Sequence, residues 1–121
     1  MSTNSYIGIE NEDASVSYIY CHQDGYIAGV GAGLLDGYNT REAAQALVES
    51  GDQSALGEPY SARPGELWED IKPLKARGAD FPSAVGSNYA YIFSAKTNSW
   101  VVRRPGSVVM VGLRRALQKN L

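Results

Sequence analysis

The sequence predicts an α+β fold: an antiparallel sheet of four to six strands, built on two hairpins, with two to four helices packed on it. Three observations carry this. Val16, Tyr18 and Tyr20 alternate with Ser17, Ile19 and Cys21, the period-two pattern of a strand with two distinct faces. Two β-rich runs, 88–95 and 99–104, flank the polar loop Lys96 to Asn98, which reads as a second hairpin. Between these regions, residues 40–49 show helical spacing with a start signal and a stop signal.

Taken in order, residues 5–10 form the first strand, and Asn11 to Ala14 the hairpin loop into the strand from Ser15. His22, Asp24 and Gly25 end that strand through turn chemistry. Ile27, Val30, Leu34 and Tyr38 then recur at helical spacing through a run containing Gly29, Gly31 and Gly33. Each interior glycine costs about 1 kcal/mol relative to Ala, so this helix requires a close neighbour, either a strand or a second chain. A phosphate-binding loop is a poor match, because Leu34 stands where a third glycine belongs and no Gly-Lys-Ser/Thr follows. Asn39 is the expected N-cap of a helix over 40–49, with Glu42 closing a capping box. Ala43, Ala44, Leu47 and Val48 form its buried face, and Ser50 and Gly51 end it. Residues 51–65 read as a surface loop, 66–71 as a short helix stopped by Pro73, and 78–86 as another loop. In the second hairpin Tyr89, Tyr91 and Phe93 share a face; across it, Trp100 and Val102 face one way, Val101 and Arg103 the other. Pro105 and Gly106 break the ladder. Residues 107–111 are expected as a fifth strand, and 113–120 as a terminal helix with Leu113, Ala116 and Leu117 inward.

A chain of 121 residues is expected to form one domain, 1–121, large enough to fold without a metal or disulfide. Its hydrophobic share of 44% and charged share of 20% are globular values, which argues against disorder. The unpaired Cys21 points to a reducing, cytoplasmic setting. The first residues show no leader pattern, and no apolar run approaches membrane-spanning length, so neither a signal peptide nor a membrane partner is expected. The net charge of −2 hides a split: residues 1–95 carry 13 acidic and five basic groups, a sum of −8, whereas residues 96–121 carry six basic and none acidic, a sum of +6. Such polarity suits self-association or anion binding; the alternative is that the two parts neutralise each other internally. Duplex nucleic acid is a poor partner for so acidic a chain.

Chemistry-bearing residues are few. Cys21 and His22 are strand neighbours pointing to opposite faces, an awkward geometry for a nucleophile and its base. One Cys and one His fall short of a zinc ligand set. Aromatic rings beside Arg and Asn match a nucleotide pocket better: rings stack on a base, guanidinium forks take phosphate, and amides read polar edges. The candidate ligand-binding residues are Tyr20, His22, Asp24, Tyr26, Phe81, Asn88, Tyr91, Trp100, Arg103 and Arg104, with no catalytic residue, metal or cofactor assigned. Arg103 and Arg104 face opposite sides of a strand and are therefore not equivalent. The competing reading makes the aromatics a core face and leaves the arginines solvated.

Two resemblances follow from these residues. Tyr6 to Glu10, the run Ile19 to Tyr26, Leu34-Leu35 with Tyr38-Asn39, Gly51-Asp52 and Leu56-Gly57 resemble small phage and prophage proteins of uncharacterised type. That match covers the first half of the chain, with Gln23 where those proteins commonly carry Trp. The length, the β-helix-β order and the basic, aromatic second half are similar to phage Thoeris anti-defence proteins. Those proteins act as sponges for cyclic ADP-ribose signals, and some also take cyclic oligonucleotides. The resemblance implies a phage-type binding protein of the host cytoplasm that sequesters a cyclic nucleotide immune signal without cleaving it; the charge split and the glycine-lined segment add the expectation of a homo-oligomer, a C2 dimer by default. The alternatives are a protein–protein inhibitor of a host defence factor, acting through the acidic face, and a small hydrolase using His22.

Overall fold

The computed structural model describes residues 3–119. β1 (Ser5–Glu10) and β2 (Ser15–Cys21) form the first hairpin, in register from Ser5 opposite Cys21 to Glu10 opposite Val16. Its loop is locked by Asp13, whose Oδ1 accepts from both the Ser15 amide (3.0 Å) and the Ser15 hydroxyl (2.6 Å). A π-helical turn over Ile27–Gly31 runs directly into α1 (Ala32–Gly37). α2 (Arg41–Glu49) buries Ala44, Leu47 and Val48 and ends at Gly51, which takes the left-handed φ of 84°. Its cap is Thr40, not Asn39: the Thr40 hydroxyl accepts from the Ala43 amide at 3.1 Å. That one-residue shift takes Glu42 out of the capping-box position.

Residues 51–65 hold more structure than the expected loop. β3 (Gln53–Ala55) pairs in parallel with the end of β2, β4 (Glu58–Pro59) pairs with β3, and a 3₁₀ turn spans Tyr60–Ala62. Gln53 is fully buried, and its side-chain amide donates to Ser50 Oγ and the Gly51 carbonyl and accepts from the Gly57 amide. α3 (Trp68–Ile71) is followed by β5 (Leu74–Arg77), which lies antiparallel on β2. α4 (Phe81–Val85) occupies the expected 78–86 loop; its Pro82 is tolerated because first-turn amides need no helical partner. β6 (Tyr89–Ser94) and β7 (Ser99–Arg103) make the second hairpin. The expected strand over 107–111 shrinks to β8 (Val111–Gly112), because Val108 and Val109 project into solvent. α5 (Leu113–Lys119) closes the described chain with Leu113 and Ala116 buried; the expected helix end at Asn120 lies outside the described residues.

The strand order is β4-β3-β2-β1-β6-β7-β8, with β5 also on β2. The sheet therefore has eight strands among the described residues and is mixed, not antiparallel, and five α-helices accompany it. The two hairpins join through β1 and β6, which run parallel from Ser5 opposite Tyr89 to Ile9 opposite Phe93. A parallel join needs a long crossover, and residues 22–88 supply it.

Each sheet face has its own core. Ile7, Ile9, Ile19, Cys21, Tyr91, Phe93, Trp100 and Val102 pack under the π-turn, α1, α2 and α5. Val16, Tyr18 and Ala90 pack under Phe81 and Val85 of α4 on the opposite face. The alternation along β2 thus separates two cores. Among the described residues no helix is long and apolar enough to cross a membrane.

Candidate anion-binding site

Three of the six cations in the basic end of the chain line one cavity. β7 leaves the sheet after Arg103, the chain turns at Gly106 (φ 77°), and β8 returns to the sheet edge immediately before α5. Arg115 and Lys119 are four residues apart on α5 and so share one side of it. Together with Arg104 from the end of β7 they line a cavity of about 320 Å³, floored by Val111, Gly112 and Ala116. The ion pairs among the described residues are Lys72–Glu69, Lys75–Asp13 and Arg77–Asp80, and none involves these three cations. Three positive groups gathered at one opening repel each other, and a bound anion relieves that repulsion. Guanidinium forks match phosphate oxygens two at a time, and Lys adds a point charge.

The residues expected from the sequence are distributed over several places. Arg104 lines the cavity. Arg103, only 4% exposed, crosses to the α4 face and donates to the carbonyls of Gly86 (2.8 Å), Asn88 (3.3 Å) and Pro82 (3.5 Å). Phe81 and Asn88 lie on that face too: Phe81 is fully buried, edge-on to Tyr18 at 5.2 Å, and Asn88 Nδ2 donates to the Val85 carbonyl. Tyr91 and Trp100 belong to the opposite face. Tyr91 donates to the Gly25 carbonyl at 2.7 Å, and Trp100 Nε1 donates to the Tyr38 carbonyl at 2.9 Å. These residues are therefore divided between the two faces of the sheet and do not form one pocket.

Tyr20 and His22 meet at the end of β2, with the Tyr20 hydroxyl 3.1 Å from His22 Nδ1 and the Tyr6 ring edge-on to Tyr20. Asp24 takes a positive φ of 57°, and its carbonyl accepts from the Val30 amide at 2.7 Å, which ties the strand end to the π-turn. Tyr26 is 44% exposed. Cys21 is fully buried, and burial pushes its thiol up to about 11, so it stays protonated at neutral pH.

Arg115 and Lys119 were absent from the sequence-based candidates. The signal for them was present in their four-residue spacing inside an acid-free segment, but it could not place Arg104 beside them. No family model matches this chain, and no curated protein or solved structure matches it either.

Proposed function

We propose that this protein is a phage-type anti-defence binding protein that sequesters a cyclic nucleotide immune signal, a cyclic ADP-ribose isomer or a cyclic oligonucleotide, without cleaving it. The observation that carries the reading is the cavity lined by Arg104, Arg115 and Lys119, none of which forms an ion pair among the described residues. A phosphodiester or pyrophosphate group supplies the missing charge. Cations and apolar surface line the cavity, a composition suited to holding phosphate; proton transfer would call on a carboxylate or imidazole.

The test is to incubate the protein with cyclic ADP-ribose isomers and cyclic dinucleotides, release the ligand by heat, and identify it by mass spectrometry. Intact ligand is expected, and a cleaved product would replace this reading with the hydrolase. Arg115→Ala and Arg104→Ala are each expected to weaken binding about ten- to a hundredfold, the loss of a charge-assisted contact of about 1.5–3 kcal/mol. Arg103→Ala is expected to lower the melting temperature instead, since its guanidinium serves main-chain carbonyls. Retention of full affinity by both Arg115→Ala and Arg104→Ala would remove the phosphate from this cavity.

A second observation favours the protein-inhibitor reading. Leu67 (66% exposed) and Trp68 (46%) stand in solvent next to Glu66, Glu69 and Asp70 in the chain, and Leu74 at the start of β5 is 56% exposed. Exposed aromatic and apolar side chains with an acidic rim are suited to a protein partner.

A further inference from the structure

We infer that the cationic cavity is one half of a nucleotide site whose base-recognising half is the groove on the other side of Arg115. This rests on the reading of Arg104, Arg115 and Lys119 as the phosphate site. A second cavity of about 500 Å³ shares both Arg115 and Gly112 with the first. Its lining is more mixed: Asn39, Ser99 and Gln118 stand with Leu35, Leu113 and a further cation, Arg114, over the buried Trp100.

The two carboxamides suit a heterocyclic base. Each presents a donor and an acceptor side by side, the pattern that pairs with the amino group and ring nitrogen of adenine. Asn39 is available for this because Thr40, and not Asn39, caps α2. Both Asn39 and Gln118 are exposed, and neither side chain forms a hydrogen bond within the described residues, whereas Ser99 Oγ already donates to Thr97. Leu35, half-buried, supplies apolar surface on which the ring can lie.

Gly112 is the low wall between the halves. A Cβ added there would meet no atom within 4 Å, so the backbone of β8 leaves a saddle through which a ligand can pass. A molecule placed across it puts an anionic group by Arg104 and Lys119, a shared phosphate oxygen by Arg115, and a base by Asn39 and Gln118. The ligand class is therefore an adenine nucleotide with its phosphate close to its base.

Isothermal calorimetry with two probes, inorganic pyrophosphate and adenosine monophosphate, separates the two halves. The wild type is expected to bind both, and the Asn39→Ala/Gln118→Ala variant to lose about tenfold or more for adenosine monophosphate while retaining pyrophosphate. Gly112→Val is expected to weaken adenosine monophosphate binding as well, because its side chain enters the open space of the saddle without disturbing the core. Melting temperatures within a degree or so of wild type would certify the folds. If Asn39→Ala/Gln118→Ala and Gly112→Val both leave adenosine monophosphate binding unchanged, while Arg115→Ala weakens both probes, the base half is wrong and the phosphate site stands. If Arg115→Ala changes neither probe, or neither binds the wild type, the phosphate site itself fails.

Discussion

Tyr91 connects two parts of the chain that the sequence holds 66 residues apart, its hydroxyl donating to the Gly25 carbonyl from full burial. Burial raises the ionisation of this phenol far above its ordinary value of 10.0, and it raises the neighbouring Cys21 thiol from 9.0 to about 11. Both folded-state values lie above the unfolded ones, so the stability they contribute is complete below pH 9. It is lost as pH rises through the folded values, because the unfolded chain releases those protons first. The melting temperature is therefore expected to hold from neutral pH to about 9 and then to fall, as followed by circular dichroism, with phenolate absorbance of Tyr91 appearing only on unfolding. Tyr91→Phe is expected to cost about 1–3 kcal/mol at neutral pH, since it leaves a buried carbonyl without its donor. It should also make the alkaline fall shallower. A variant as stable as wild type would show that the Gly25 carbonyl finds another partner.

At the scale of elements, the glycine run after β2 shows why a poor helix sequence still makes one. Val30 and Gly29 donate their amides to the carbonyls of Asp24 and Tyr26, which draws the π-turn against the strand end. A Cβ on Gly29 would lie 2.3 Å from the Asp24 carbonyl oxygen, closer than any side chain tolerates. Gly31 fits under Leu113 of α5 and the Tyr91 ring. The neighbours this run was expected to need are thus a strand residue, Tyr91 of β6, together with a turn and a helix of the same chain. Gly37, at the end of α1, has open space around its missing Cβ. Gly29→Ala is accordingly expected to destabilise by about 1–3 kcal/mol through overpacking, and Gly37→Ala to be neutral or to stabilise by up to about 1 kcal/mol. Urea-unfolding midpoints of the two variants should move in opposite directions; similar shifts would mean that local propensity, and not the Asp24 contact, sets the cost.

Across the whole molecule, the charge split leaves Arg104, Arg115 and Lys119 in one cavity, though Asp36 of α1 stands beside Arg114 in another. β4 and β8 are the two ends of the strand order. The acidic, apolar segment Glu66 to Asp70 follows β4 in sequence, while the cations of α5 stand beside β8. Surfaces of opposite sign at separate places favour association of copies through unlike faces. Light scattering at micromolar concentration and low salt is expected to give a mass that is a multiple of 13.1 kDa, declining as salt screens the contact. A single-chain mass at low salt would remove self-association as a consequence of this charge distribution.

The features that depend on neighbours within a few residues were determined by the sequence alone. Both hairpins, the opposite facing of Val16 and Ile19, the buried stripe of α2 and its glycine stop follow from side-chain period and turn chemistry, which act locally. Even the misplaced cap missed by one residue, because Asn39 and Thr40 are both good caps and only the helix phase chooses between them. The parallel join of β1 to β6 and the burial of Gln53 were decided by tertiary structure. So were the diversion of Arg103 to the carbonyls around α4 and the meeting of Arg104 with Arg115 and Lys119. Each depends on which distant segment a residue packs against, and no periodicity encodes that. An arginine on a strand looks the same in sequence whether it neutralises a helix end or waits for a phosphate. The difference is made by what the rest of the chain places opposite it.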